Sequence, residues 1–214
     1  MNIGDRVGDD PAAVAENQRR LGTLIPSTPQ WLVQVHGRSV RRVDLAGGGE
    51  ADAAVSMTPG VVCAVRMADC LPVLLCDDCG TVVGVAHAGW RGLASGVIEA
   101  TVSAMDQPGP SLIAFLGPAI GPTAFVVGDD VRQRFIAHDA AAASMFQALD
   151  EQKYLCDLYG LARQRLDSVG VTRVFGGGYC TYRDADYFFS YRRDGVTGRM
   201  AALIWIAGDR DQAK

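Results

Sequence analysis

ADCLPVLLCDDCGTVVGVAHAGWRG, residues 68–92, is the segment whose reading organises the chain. The runs PVLLCD and TVVGVAH are short, apolar and rich in β-formers. The turn DCG lies between them, so they read as two strands joined by a tight turn. Such a pair brings its outer ends together, and those ends carry Cys70 and His87. A thiolate beside an imidazole at the end of a sheet is the raw material of a zinc site or of a nucleophile–base pair. The chain has only three histidines, so the position of each matters.

Other segments supply the frame. Asp10-Pro11 followed by AAVAENQRRL reads as a capped helix with proline in its first turn. WLVQVH, residues 31–36, is a strand ending at His36, and a shorter one spans residues 40–44. AAVSM, residues 61–67 and SLIAFLG at 111–117 are further strands. Residues 93–105, 129–138 and 150–169 have helical spacing. GPAIGP is a rigid turn. Phe175 and residues 187–191 and 200–206 fall in late strands. Strands and helices mix without strict alternation, which predicts an α+β, mixed-sheet α/β fold. One domain is expected over residues 1–207, with a flexible tail at 208–214.

Composition narrows the function classes. The chain of 214 residues is 49% hydrophobic and 21% charged, with a net charge of −4, which argues against a general nucleic-acid binder. No basic and then apolar pattern is read at residues 1–30 and the apolar runs are strand-sized, so neither a signal peptide nor a membrane partner is expected. Six cysteines without a signal sequence read as reduced thiols of a cytoplasmic protein. A monomer or small homo-oligomer is expected.

His36, Cys70 and His87 all stand where strands give way to loops, as functional residues on rigid scaffolds often do. Two histidines and a cysteine make a three-ligand set with a fourth zinc position open, the catalytic pattern. The alternative is two ordinary strand-end histidines and a small buried thiol. Cys76-Asp77-Asp78-Cys79 is a CxxC lacking the second pair of a zinc ribbon, and it falls on turn formers. No GxSxG, GxGxxG or P-loop is present. Arg66, Arg91 and Arg192 are candidates for anion binding, since a guanidinium fork suits phosphate or carboxylate. Asp69 is a candidate acid or base beside Cys70, and Gln34 shares a strand face with His36. Trp90 and Tyr191 are candidates to stack on a flat ring.

These residues fall within an ordered set of motifs: QVHG (34–37), ADCxP (68–72), HAGWRG (87–92), LGPAIG (116–121) and FSYRRDx3GRM (189–200). Together they resemble the laccase-domain family, also called multicopper polyphenol oxidase and purine nucleoside phosphorylase. The resemblance implies that His36, Cys70 and His87 are metal ligands for zinc. It also implies phosphorolysis of adenosine, inosine, guanosine or methylthioadenosine, and deamination of adenosine, with purine nucleoside and phosphate as partners. Cys70, Asp69 and Arg66 are then the catalytic candidates, and Gln34, Arg91 and Arg192 the substrate-binding ones. Three rival readings remain: a cysteine-type amidase editing peptidoglycan precursors, a module with a structural zinc, and copper-dependent polyphenol oxidation. Three histidines are too few for a full set of copper centres, although copper competes well for a His2Cys site. Relatives commonly carry a further N-terminal strand region, and Asn-Arg where this chain has Asn17-Gln18, with Arg19 available to replace the arginine. Cys180 matches a family cysteine and is expected to pack near the site.

Overall fold

A computed structural model describes residues 1–208. The tail expected at 208–214 therefore lies, apart from Gly208, outside the described residues. The strands are β1 (Gln30–Val33), β2 (Val40–Arg42), β3 (Gly49–Glu50), β4 (Ala53–Ser56), β5 (Cys63–Met67), β6 (Leu71–Asp77) and β7 (Val83–Ala88). They continue as β8 (Leu112–Leu116), β9 (Val126–Gly128), β10 (Phe146–Ala148), β11 (Lys153–Cys156), β12 (Arg173–Gly176) and β13 (Met200–Ile204). The helices are α1 (Pro11–Gly22), α2 (Val43–Ala46), α3 (Trp90–Ala94), α4 (Val97–Met105), α5 (Asp129–Ile136), α6 (Leu158–Ser168) and α7 (Tyr191–Asp194).

The mixed α/β architecture expected from the sequence is present. A six-stranded sheet runs β12-β8-β6-β7-β4-β2, and a four-stranded sheet runs β13-β5-β1-β3. β6 and β7 form the expected antiparallel pair at the centre of the larger sheet, with Leu71 opposite Ala88 and Pro72 opposite His87. Their turn is closed by Asp77, whose carboxylate accepts the N–H groups of Thr81 and Val82 and the Thr81 hydroxyl.

Alternation along β6 sorts its side chains into two cores. Leu71, Val73 and Leu75 join the cluster beneath α4 and α6, while Leu74 and Cys76 join Val83 and Val85 against the smaller sheet. Because both faces are covered, every residue of β4 and β7 is buried. Cys70 and His87 continue the second face, lying diagonally across the ladder at the open end of the pair.

Several elements differ from the sequence reading. The span 150–169 is not one helix: Lys153–Cys156 pairs with β9 and β10, and Asp157 starts α6 by accepting the Gly160 N–H. The aspartate cap and the preceding β-formers override the helical spacing. Residues 93–105 are broken at Gly96, which has φ 91°. Residues 187–191 are not a strand. Asp184 holds them in a turn, accepting main-chain N–H groups of Tyr187 and Phe188, and Ser190 caps α7. The strand expected over 31–36 stops at Val33, and that over 40–44 yields to α2 after Arg42.

Gly84 shows why α4 can lie on β7. A Cβ there would stand 3.2 Å from both Met105 Sδ and Thr101 Cγ2. Gly84→Val is expected to lower stability by about 1–3 kcal/mol through overpacking, measured as a reduced urea midpoint with unchanged slope.

Candidate metal centre and cleft

The open end of the β6–β7 pair faces a cleft of about 940 Å³. His36, Cys70 and His87 converge on its wall, with one potential ligand atom from each lying within 4.8 Å of the others. His87 is buried, Cys70 partly buried and His36 exposed. Among the described residues this is the sole His/Cys/Asp/Glu grouping arranged to hold a metal. Cys76 and Cys79 are not part of it, and His138 is exposed beyond the end of α5.

The local backbone explains the motif glycines. A Cβ at Gly89 would stand 2.7 Å from Cys70 Sγ, and one at Gly92 would stand 2.8 Å from the Gly37 carbonyl. HAGWRG therefore needs both glycines for the thiol and the His36 loop to approach β7. His36 has φ 60°, a left-handed conformation that a histidine adopts only when held.

Asp52, which the sequence reading passed over, supplies that hold. It is fully buried. Its Oδ1 accepts the His36 N–H at 2.9 Å and lies 2.9 Å from His87 Nδ1. Its Oδ2 accepts the N–H groups of Val35 at 3.1 Å and Gly37 at 2.7 Å. An acidic residue opening the apolar run AAVSM was the signal available in the sequence, since a buried strand has no solvent to offer a carboxylate.

The other expected residues occupy the cleft in varied ways. Asp69 is held at φ 89°, with Oδ1 accepting the Thr181 hydroxyl at 2.6 Å and Oδ2 the Arg192 N–H at 2.7 Å. Both carboxylate oxygens are engaged, so Asp69 clips α7 and the 180–181 loop to the Cys70 segment. Gln34 is committed to the Arg66 main chain: its Nε2 donates to the Arg66 carbonyl and its Oε1 accepts the Arg66 N–H, both at 2.8 Å. The Arg66 guanidinium lies 4.3 Å from the Trp31 ring centre and 3.6 Å from the Asp5 carboxylate, and its buried Nε has no hydrogen-bond partner. Arg91 is exposed over Trp90, and Arg192 donates to the Val126 carbonyl beside Phe125. Arg6 and Arg199, not anticipated from sequence, also line the cleft. Arg19 instead pairs with Glu16 on the surface, and Gln18 donates to the Ile3 carbonyl. Cys180 is buried, its sulfur accepting the Gly121 N–H.

Residues 1–207 match the family described as multi-copper polyphenol oxidoreductase laccase. The chain belongs to that family. It is 52% identical to purine nucleoside phosphorylase YfiH of Escherichia coli, over 96% of this chain and 86% of that protein. It is 51% identical to purine nucleoside phosphorylase PA4543 of Pseudomonas aeruginosa, with the same coverage. A crystal structure of a Neisseria meningitidis protein superposes with a TM-score of 0.94 at 48% identity, covering 97% of this chain and 86% of that one. The Escherichia coli and Pseudomonas aeruginosa relatives carry enzyme names, and this chain is an enzyme. No helix among the described residues is long and apolar enough to cross a membrane.

Burial opposes charge on both Cys70 and His87, but the cluster reverses the outcome. Hydrogen bonds from His36 and His87 bring the thiol down to about 6, and Asp52 and Cys70 lift the imidazole to about 9. A raised histidine stabilises the fold fully below 6.5 and loses that contribution as pH climbs through about 9. A lowered thiol contributes above 9.0 and loses its contribution as pH falls through about 6. Between those limits the unfolded pair holds one proton on sulfur and the folded pair holds one on nitrogen. Chemical denaturation of metal-free protein is therefore expected to give a stability nearly flat from pH 6.5 to 9. In Cys70→Ala, His87 retains its Asp52 partner, and stability is expected to fall as pH rises above 6.5.

Proposed function

We propose that this chain is a zinc-dependent purine nucleoside phosphorylase in which His36, Cys70 and His87 hold the metal. The observation that carries the reading is the convergence of two imidazoles and a thiol on the wall of a cationic, aromatic-lined cleft. The donor set fits zinc. Zn–N near 2.0–2.1 Å and Zn–S near 2.3 Å place tetrahedral ligand atoms roughly 3.3–3.6 Å apart, a small closure from the observed grouping. Three protein ligands leave one position open. Zinc held there supplies Lewis-acid polarisation at that position.

The remaining work falls to the chain itself. Trp31, Trp90, Phe125 and Tyr191 provide flat apolar surface for a purine. Arg66 lines the cleft and offers phosphate its guanidinium charge, with Arg91 and Arg192 as further cations. Cations seating the phosphate against the sugar C1′ favour formation of the C1′–O bond as the bond to the purine nitrogen breaks. Arg66 binds and orients, because a guanidinium keeps its proton. We assign adenosine, inosine, guanosine and methylthioadenosine as substrates, and deamination of adenosine as a second reaction of the same cleft. Copper is expected to occupy the site in vitro, as it outcompetes zinc for most nitrogen and sulfur ligands. The six free cysteines favour the cytoplasm.

One observation favours a second reading. Cys70, His87 and Asp52 stand in the order of a nucleophile, a base and an orienting carboxylate, as a cysteine amidase requires. Such a triad has no use for His36 on the same sulfur, whereas a metal does.

Zinc-loaded protein incubated with inosine is expected to release hypoxanthine only when phosphate is present, and to convert adenosine to inosine without it, read by chromatography. Chelation should abolish both reactions and restored zinc should revive them. Cys70→Ala should lose metal and activity together. Full activity in metal-free protein, or amidase activity that survives chelation and is lost on Cys70 alkylation, would defeat the zinc reading.

A further inference from the structure

We propose that Asp52 is the positioning residue of the metal centre: one buried carboxylate fixes the donor atom of His87 and the backbone that carries His36, so that both imidazoles are set as a unit. The inference rests on His36, Cys70 and His87 being the metal ligands. Asp52 lies behind them rather than in the cleft, and it is not among the residues that line it.

Three features of the geometry point to this role. The contact of Oδ1 with His87 Nδ1 occupies that nitrogen and leaves Nε2 as the ring's metal-binding atom. The N–H groups of Val35, His36 and Gly37 all point at the same carboxylate, forming an anion nest of three successive residues. The nest is what keeps His36 in its left-handed conformation, beyond the end of β1, where no sheet ladder could hold it. Oδ1 alone touches both ligand residues, so a shift of the carboxylate moves both. The Asp52 carbonyl also accepts the His87 N–H at 2.7 Å, so main chain and side chain of one residue grip the same ligand.

Asparagine at position 52 has one accepting oxygen in place of two. It can serve the Oδ1 donors or the Oδ2 donors, and its amino group faces the N–H groups left over. Asp77 provides an internal comparison. It is likewise a buried carboxylate accepting three hydrogen bonds in a turn, at the opposite end of β6 and without contact to a ligand residue.

The test compares wild type, Asp52→Asn and Asp77→Asn for zinc affinity, by competition with a chromophoric chelator, and for the cobalt-substituted absorption spectrum. Asp52→Asn is expected to bind zinc about 10–100-fold more weakly and to shift the cobalt bands. Asp77→Asn should lose stability but stay within about twofold of wild type in affinity. Affinity and spectrum unchanged in Asp52→Asn would overturn the proposal, as would an equal loss in both variants. Should Asp52→Asn not fold, nitrogen-15 NMR of zinc-loaded wild type decides. His87 bound through Nε2 with a proton on Nδ1 supports the role, and binding through Nδ1 overturns it. None of these readouts uses nucleoside turnover. A loaded but inactive enzyme would sink the proposed activity and leave Asp52 in place, whereas unchanged affinity in an active Asp52→Asn variant would sink the positioning role alone.

Discussion

Four hydrogen bonds converge on one carboxylate, and the site depends on them. Asp52 has no solvent to satisfy it, so its two oxygens must be met from within the protein. They are met by three successive main-chain N–H groups and one imidazole. Satisfying the charge thus requires the chain at residues 35–37 to curl inward over β4 and requires His87 to face it from β7. The cost of burying an acid is offset by the same contacts that bring two imidazoles together.

The sheet supplies the third member. The β6–β7 register places Cys70 diagonally from His87, and Gly89 leaves room for the sulfur. Around this nucleus the cleft is assembled from distant parts of the chain. Asn2 accepts the Arg199 N–H and thereby ties the N-terminal segment to the segment before β13, and Arg6 and Arg199 both line the cleft. Asp69 joins the Cys70 segment to α7 and the 180–181 loop. The cluster of cations and aromatic rings is a product of these long-range clips, while the candidate metal-binding group is a product of one hairpin and one buried acid.

That division explains what was legible in the sequence. The hairpin was readable because its apolar runs and turn residues are local, and Cys70 and His87 came with it. His36 was readable as a position but not as a conformation: its left-handed turn is imposed by Asp52, sixteen residues away. Gln34 illustrates the opposite limit. It shares a motif with His36, yet its amide substitutes for a strand partner at Arg66, a pairing across two segments that periodicity does not encode. The helix read over 150–169 failed where an aspartate cap and a two-sided strand pairing outweighed helical spacing, and the strand read over 187–191 failed where the Asp184 carbonyl and the Ser190 cap turned the main chain. In both cases nearby oxygens captured main-chain N–H groups: the Asp157 carboxylate in the first, the Asp184 carbonyl and the Ser190 hydroxyl in the second.

The metal centre is tested most directly by zinc K-edge X-ray absorption on protein loaded with one equivalent of zinc. A His36–Cys70–His87 centre predicts one sulfur scatterer near 2.3 Å, with imidazole nitrogens and one further light atom near 2.0–2.1 Å. Replacing Cys70 by alanine should remove the sulfur shell. A shell of nitrogen and oxygen alone in the wild type, or one with several sulfurs, would contradict it.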